Sequence, residues 1–185
     1  MATAPTYAPV SATEYLNTSY RPDLEYVDGV LVEKSVPTFL HGLLQLLLGS
    51  YLRQFEKTCR FKVVPEVRTE IVKLARYRLP DILLCATPVR VERVLDVTPL
   101  AVIEILSPTD TIKGLLERFR DFDAIGVTHI ILLDPEKSIA YRFENGSLIE
   151  TKFKALEAEG RTIPFDSEAI FDQLRTEYRE ATAAE

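Results

Sequence analysis

The chain has few cysteines and no long apolar segment, and both absences limit what the protein can be. Its 185 residues include two cysteines, Cys59 and Cys85, which are too few for a disulfide framework and too far apart for the close pairs of a zinc site. No apolar run approaches the roughly 20 residues that cross a bilayer. The N-terminus shows neither a secretory signal pattern nor a lipidation motif. We therefore expect a cytoplasmic protein that does not bind membranes.

The chain also lacks an excess of positive charge and the loops of several enzyme classes. Its net charge of -6 argues against a protein that coats nucleic acid through positive charge alone. Bases nevertheless outnumber acids between Arg53 and Arg78, either as a surface for a phosphate backbone or, more commonly, as solvated charge. A glycine-rich phosphate loop and a serine or cysteine nucleophile elbow are both missing, which disfavours those hydrolase classes.

Composition and local patterns predict one α/β domain built on a mixed sheet. With 46% hydrophobic residues the chain can form a continuous core, which we assign to residues 11–185, while residues 1–10 are expected to be disordered. Asp28-Gly29 predicts an N-terminal hairpin, and a leucine-rich helix follows Thr38, with Gly42 and Gly49 expected to permit close packing. The remaining predicted elements are a short helix from Ser11 to Asn17, strands at 60–64, 67–72, 80–86 and 99–106, a helix at 111–125, a strand at 129–134, an edge hairpin at 138–154 and a helix from Asp166.

Two of the predicted central strands each contain one carboxylate. Glu104 lies within Leu100 to Leu106, where every neighbour is aliphatic, and Asp81 opens the apolar run that ends at Cys85. A buried carboxylate needs a cation or hydrogen-bond donors, because removing its charge from water is otherwise too costly. If the strands form a hairpin joined by residues 87–98, a symmetric register places Asp81 opposite Glu104. Two converging acids could then bind a divalent metal ion.

A basic residue is expected near this pair. In the helix at 111–125, which follows the Glu104 strand, Arg118 falls on the inward face between Phe122 and Ile125. The predicted crossover from the Glu104 strand to the strand at 129–134 would bring this helix over the two acids. Arg118 can therefore reach the cleft that contains them.

The order of these segments resembles a known nuclease fold. Its helix, hairpin strands with Pro80-Asp81 and Glu104, crossover helix and parallel strand are similar to the core of the PD-(D/E)XK nucleases, the restriction-endonuclease-like fold. The chain is more similar still to the bacterial Uma-two family, described as putative restriction endonucleases and as a domain of unknown function. The segments that carry this resemblance are 24–29, His41, Pro65-Glu66, Pro80-Asp81, 103–109, Gly126-Val127 and 133–135, within residues 11–155.

The resemblance implies a site and an activity. Asp81 and Glu104 would bind Mg²⁺ or Mn²⁺, with the backbone carbonyl of Ile105 as a further ligand. The reaction would be metal-dependent hydrolysis of nucleic-acid phosphodiester bonds, with DNA the favoured substrate. Enzymes of this fold that cut both strands commonly act as pairs, which makes a homodimer an expectation too.

The chain departs from the family pattern at two positions. The active lysine that often follows the glutamate by two positions is Leu106 here, and Arg118 takes the helical lysine position of this family, with Gly114 at the preceding acidic position. Arginine can hold a phosphate oxygen but stays protonated, so it cannot act as a base. Whether the chain is an active enzyme is therefore left open.

The alternatives are a structural ion pair and a binding module. In the first, Glu104 and Arg118 neutralise each other in the core while Asp81 caps its strand. In the second, a catalytically degenerate nuclease fold binds nucleic acid or a protein partner. Accessory candidates are Glu33 and Glu66, which either extend the metal shell or are solvated strand charges, and His41, which either donates to phosphate or packs as a hydrogen-bonded histidine.

Overall fold

A computed structural model describes residues 9–90 and 94–183 of the protein. Most of the predicted disordered N-terminus, and residues 91–93 of the predicted connection at 87–98, lie outside the described residues. Val10, the last residue of that N-terminal segment, donates its backbone N–H to the carbonyl of Gly29 at 3.0 Å. Within the described ranges, no helix combines the length and apolar character that a membrane span requires.

The elements follow the predicted order, with three strands added. The helices are α1 (Ala12–Asn17), α2 (Phe39–Arg53), α3 (Glu56–Cys59), α4 (Ile112–Ala124) and α5 (Ser167–Thr182), and a 3-10 turn spans Val72–Leu74. The strands are β1 (Leu24–Val27), β2 (Val30–Glu33), β3 (Phe61–Val64), β4 (Thr69–Ile71), β5 (Arg76–Arg78), β6 (Ile82–Ala86), β7 (Ala101–Ile105), β8 (His129–Asp134), β9 (Ile139–Glu144), β10 (Ser147–Glu150), β11 (Ala155–Ala158) and β12 (Arg161–Pro164).

A six-stranded mixed sheet in the order β10-β9-β8-β7-β6-β3 forms the centre of the fold. Strands β7 and β8 are parallel and are joined through α4, so the predicted crossover is confirmed, and the other pairs in this sheet are antiparallel. The central strands are apolar on both faces because helices cover each side. The predicted mixed sheet flanked by helices is confirmed.

Residues alternate between the two faces of β7, and this alternation decides where Glu104 points. Ile103 and Ile105 belong to the core under α2 and α5, whereas Val102 packs with Phe119 of α4. Position 104 shares the side of Val102 because successive side chains of a strand point to opposite faces. Glu104 therefore lies on the face that α4 covers.

The four predicted helices begin at the residues that the sequence indicates, whereas α3 was not predicted. The hydroxyls of Ser11, Thr38 and Thr111 and the carboxylate of Asp166 accept backbone N–H groups at the starts of α1, α2, α4 and α5. The chain leaves α4 through Gly126, whose φ of 84° lies in the left-handed region that suits glycine.

A second sheet, in the order β2-β1-β5-β4, contains β5, one of the strands that sequence patterns missed. The predicted hairpin of β1 and β2 is confirmed, but the predicted strand at 67–72 is shorter and is followed by β5. Strand β5 reads Arg-Tyr-Arg and has no apolar run. It is buried because Arg78 and Arg76 pair with acids, which hydropathy patterns do not detect.

The second strand of the predicted edge hairpin at 138–154 ends earlier than expected, at Glu150. Residues 155–164 instead form a separate antiparallel hairpin of β11 and β12. Leu156 and Ile163 of this hairpin join the core beneath α2 and α5. The additional hairpin thus covers part of the central sheet.

The expectation that Gly42 and Gly49 permit close packing is wrong. A Cβ atom built at either residue meets no heavy atom within 4 Å, so both face open space. We expect Gly49→Ala to raise the free energy of unfolding by about 0.5–1 kcal/mol, because glycine in a helix interior loses more backbone entropy on folding than alanine. Urea denaturation measures the change. Gly126→Ala is the matched control and should be destabilising, and a destabilising Gly49→Ala would contradict the placement of Gly49.

Candidate active site

Asp81 and Glu104 meet at one edge of the central sheet. Ile82 pairs with Ile103 in antiparallel register. Extending that register by one residue places Asp81 opposite Glu104, which confirms the predicted register. The two residues are 2% and 1% exposed and line one cavity of about 290 Å³. The hairpin therefore brings both carboxylates to the same pocket.

Both oxygens of Asp81 are engaged. Oδ2 accepts the backbone N–H of Ile105 at 2.7 Å, and Oδ1 accepts the Lys34 ammonium at 2.6 Å. The Nε2 atom of His41 lies 3.7 Å from Oδ1. Burial by itself would raise the pKa of Asp81, but the His41 ring and the Lys34 ammonium outweigh it and hold that pKa below its usual range. Asp81 is therefore an anion at neutral pH.

Glu104 is held much more loosely. Its Oε2 atom lies 3.3 Å from the Arg118 guanidinium, while Oε1 is buried and has no hydrogen-bond partner among the described residues. Burial raises the pKa of Glu104 to about 8 despite the opposing charge of Arg118. A buried carboxylate oxygen without a partner is costly unless it binds a proton or a cation.

Arg118 points inward, as predicted from the helical wheel. Its Nε atom is 3.5 Å from Oε1 of Glu25, and one terminal nitrogen faces Glu104. The guanidinium thus lies between two buried acids. The predicted ion pair of Glu104 and Arg118 exists, and its position also brings Arg118 to the wall of the cavity.

Sequence reasoning missed Glu25, which is fully buried in β1. Its carboxylate accepts the Arg78 guanidinium at 2.7 Å and the backbone N–H of Leu79 at 3.0 Å, so it holds the segment that leads into Asp81. Arg78 also donates to Asp121 of α4 at 2.7 Å. The only signal was a carboxylate between Leu24 and Tyr26, which looks the same as a solvated strand charge.

Lys34, the residue after β2, was missed as well. Its ammonium binds Asp81 and also donates to the carbonyl of Leu79 at 2.7 Å. A lysine between a strand and a loop is ordinarily solvated, so nothing in the local sequence indicates this contact. The positive charge nearest to Asp81 therefore comes from the second sheet, whereas Arg118 faces Glu104 and Glu25.

The accessory candidates divide into one buried residue and two exposed ones. His41 is buried, and its Nδ1 atom lies 3.0 Å from the Ser107 hydroxyl. Glu33 and Glu66 are exposed at the lining of the same cavity, and a side-chain nitrogen of Gln45 approaches Glu66 at 3.4 Å. Across residues 9–90 and 94–183, no group of three or more His, Cys, Asp and Glu could hold a metal ion. Roles for Glu33, His41 and Glu66 as accessory residues stay predictions.

Three arginines of the basic stretch from Arg53 to Arg78 make contacts inside the protein. Arg76 pairs with Asp28 and Asp121, and Arg78 is buried against acids. Arg68 donates to the carbonyl of Thr18 at 3.2 Å, and its guanidinium lies over the Tyr15 ring. These three arginines support the second sheet, so solvated or structural charge explains this part of the stretch better than a phosphate-binding surface.

The donor atoms suit a hard divalent cation. Mg²⁺ and Mn²⁺ prefer oxygen ligands, and Mg²⁺ commonly keeps several waters beside one or two carboxylates. Glu104 Oε1 is a buried oxygen that has no hydrogen-bond partner in the part of the chain that the structure describes, and Asp81 is ionised beside it. The backbone carbonyl of Ile105, whose N–H already binds Asp81, belongs to the same strand end. These residues therefore fit the cation that the resemblance implies.

The raised pKa of Glu104 predicts a pH dependence of stability in the presence of a chelator. A carboxyl whose folded pKa of about 8 exceeds its ordinary value of 4.5 contributes stability that is fully present below pH 4.5 and is lost as the pH rises through about 8. We expect the free energy of unfolding to fall between pH 5 and pH 8.5, and to fall less in Glu104→Gln. Urea denaturation in EDTA measures both curves. Parallel curves for the two proteins would contradict this environment of Glu104.

The position of Arg118 predicts that its removal is costly. Arg118→Met leaves Glu25 and Glu104 without this cation, and breaking a buried ion pair from one side costs about 3–5 kcal/mol. Denaturation measures the loss. Adding Glu104→Gln to Arg118→Met should restore part of it, because the orphaned charge is then removed. A loss below about 1 kcal/mol in Arg118→Met would show that the cation does not support the fold.

Comparisons with known proteins agree with this architecture. No curated protein matches the chain. A crystal structure described as a putative nuclease belonging to DUF820 from Anabaena variabilis aligns with a TM-score of 0.75 and 18% identity over 90% of this chain and 99% of the other, which shows the fold. A DrdV-DNA complex aligns with a TM-score of 0.36 and 15% identity over 56% of this chain and 9% of the other, which is too weak to support an inference.

A family model decides the assignment. The Uma2 model, described as "Putative restriction endonuclease", matches residues 13–168. The matched region contains both sheets and every residue of the cavity described above. Because the model covers most of the chain, the protein belongs to the Uma2 family, and the resemblance inferred from the sequence is confirmed.

Proposed function

We propose that the protein is a divalent-metal-dependent endonuclease that hydrolyses phosphodiester bonds of nucleic acid. The observation that carries the proposal is the buried Oε1 atom of Glu104, which has no hydrogen-bond partner within residues 9–90 and 94–183 and lies in a cavity that also contains the ionised Asp81. A divalent cation would satisfy this oxygen and share Asp81, and the family description supports a nuclease.

The residues of the cavity would have different roles in such a reaction. Asp81 and Glu104, with the Ile105 carbonyl, would hold Mg²⁺ or Mn²⁺, which when bound lowers the pKa of a water molecule and neutralises charge on the phosphate. The backbone N–H of Ile105 fixes the orientation of Asp81. Arg118, at the cavity wall, would hold a non-bridging phosphate oxygen and stabilise developing negative charge, since a guanidinium stays protonated.

The substrate, assembly and cell compartment belong to the same proposal. We favour DNA over RNA because the family description names a restriction endonuclease. A homodimer would place two such sites on opposite strands of a duplex. Two cysteines without a disulfide between them, Cys59 and Cys85, suit a reducing cytoplasm.

A second candidate is a binding module without catalysis. Each of the three buried acids in and behind the cavity already faces a base: Asp81 with Lys34, Glu25 with Arg78, and Glu104 with Arg118. This balance favours a fold that is stable without a metal ion. Such a module would bind nucleic acid or a protein partner in a salt-dependent manner but would not cleave.

A cleavage assay tests the proposal. With Mg²⁺ or Mn²⁺ the wild-type protein should cleave plasmid DNA, and Asp81→Asn and Glu104→Gln should each lose at least 100-fold in rate while remaining folded. Glu180→Gln, an exposed acid on α5, is the matched control and should behave as wild type. Cleavage that persists in EDTA or in Asp81→Asn would refute the proposal.

A binding measurement separates the two candidates. Mn²⁺ at about 100 times its Kd should stabilise the wild-type protein by about 2.7 kcal/mol, seen as a rise in Tm, and Glu104→Gln should lose that rise. Salt-dependent DNA binding with no Mn²⁺ effect and no cleavage would favour the binding module.

A further inference from the structure

Lys34 binds Oδ1 of Asp81, the oxygen that the Ile105 amide does not bind. Oδ2 is bound by the Ile105 amide at 2.7 Å, a contact set by the pairing of two strands. Oδ1 is bound by the Lys34 ammonium at 2.6 Å. A divalent ion shared by Asp81 and Glu104 would compete with the ammonium for Oδ1, because two cations close to the same oxygen repel each other strongly.

The two bases of the cavity differ in their freedom to move. Arg118 is held by Glu104 and Glu25 on a helix that packs on the central sheet. Lys34 follows the end of β2, and its side chain is 19% exposed. Besides Asp81, its ammonium contacts the carbonyl of Leu79, and its stem of four methylenes can swing without moving the backbone.

We propose that the Lys34 ammonium binds Asp81 while no metal ion is present and releases Asp81 when a divalent ion binds. It then contacts a phosphate oxygen of the substrate. This inference rests on the proposed function and adds a residue that acts in both states of the site. The ammonium stabilises Asp81 while the metal is absent. Once displaced, it remains within the cavity that Arg118 also lines, where a lysine can contact phosphate as a point charge.

Metal affinity tests the first half of the inference. Isothermal titration of Mn²⁺ into Lys34→Met should give a Kd at least tenfold lower than in the wild type, because the competing cation is gone. Lys34→Arg, which keeps a cation at this position, should stay within about threefold of wild type. Lys152→Met removes a surface lysine that pairs with Glu168 and is the matched control, with no change expected. Thermal melts in EDTA confirm that each variant is folded.

The outcomes separate this inference from the proposed function. Unchanged or weaker Mn²⁺ binding by folded Lys34→Met, beside clear binding by the wild type, overturns the role of Lys34 and leaves the nuclease proposal standing. Binding by Lys34→Met alone shows that Lys34 occupies the site but does not release Asp81, which overturns the exchange inferred here and the metal dependence of the wild-type protein. Absence of binding in both proteins overturns both proposals.

Cleavage at saturating Mn²⁺ tests the second half. Lys34→Met should cleave plasmid DNA at least tenfold more slowly than the wild type and with a raised KM, although it binds the metal more tightly. Opposite changes in metal affinity and cleavage are not expected of a residue that only supports the fold. Wild-type cleavage by Lys34→Met at saturating metal overturns the contact with phosphate.

Discussion

The burial of Glu104 is the constraint on which the arrangement of the site depends. Its strand is covered on both faces and the residue is only 1% exposed, so its carboxylate needs a cation or a proton beside it. Arg118 supplies a charge at one oxygen and leaves the other without a hydrogen-bond partner among the described residues. The pKa of Glu104 is raised because the charge of Arg118 offsets only part of the cost of burying the carboxylate.

The acids of the site link two sheets and a helix. Glu25 of the second sheet binds Arg78 and approaches Arg118 of α4, while Lys34 from the end of β2 binds Asp81 at the start of β6. The small sheet therefore contributes charge to a site whose two carboxylates come from the large one. Folding of the N-terminal hairpin and assembly of the cavity should be coupled for this reason, since neither group of charges is compensated alone.

The parts of the site that the sequence revealed were charges in apolar surroundings. Asp81 and Glu104 interrupt hydrocarbon strands, and Arg118 interrupts the inward face of an amphipathic helix, so local pattern located all three and the symmetric hairpin gave their register. Lys34 and Glu25 have polar or mixed neighbours, and their importance comes only from contacts distant in sequence. Strand β5 was missed for a related reason. Arg78 is buried with Glu25 and Asp121 as ion-pair partners, whereas a hydropathy scale describes the transfer of a single side chain from water without such partners.

The Ile105 backbone N–H donates to Asp81, so the orientation of this carboxylate depends on the main chain and not on another side chain. A backbone donor is present at position 105 for every residue except proline, so other substitutions there would leave the orientation of Asp81 intact. The contacts made by Lys34 and Arg118 come from side chains and can be lost through a single codon change. Related chains could therefore diversify their basic residues while retaining the same carboxylate geometry.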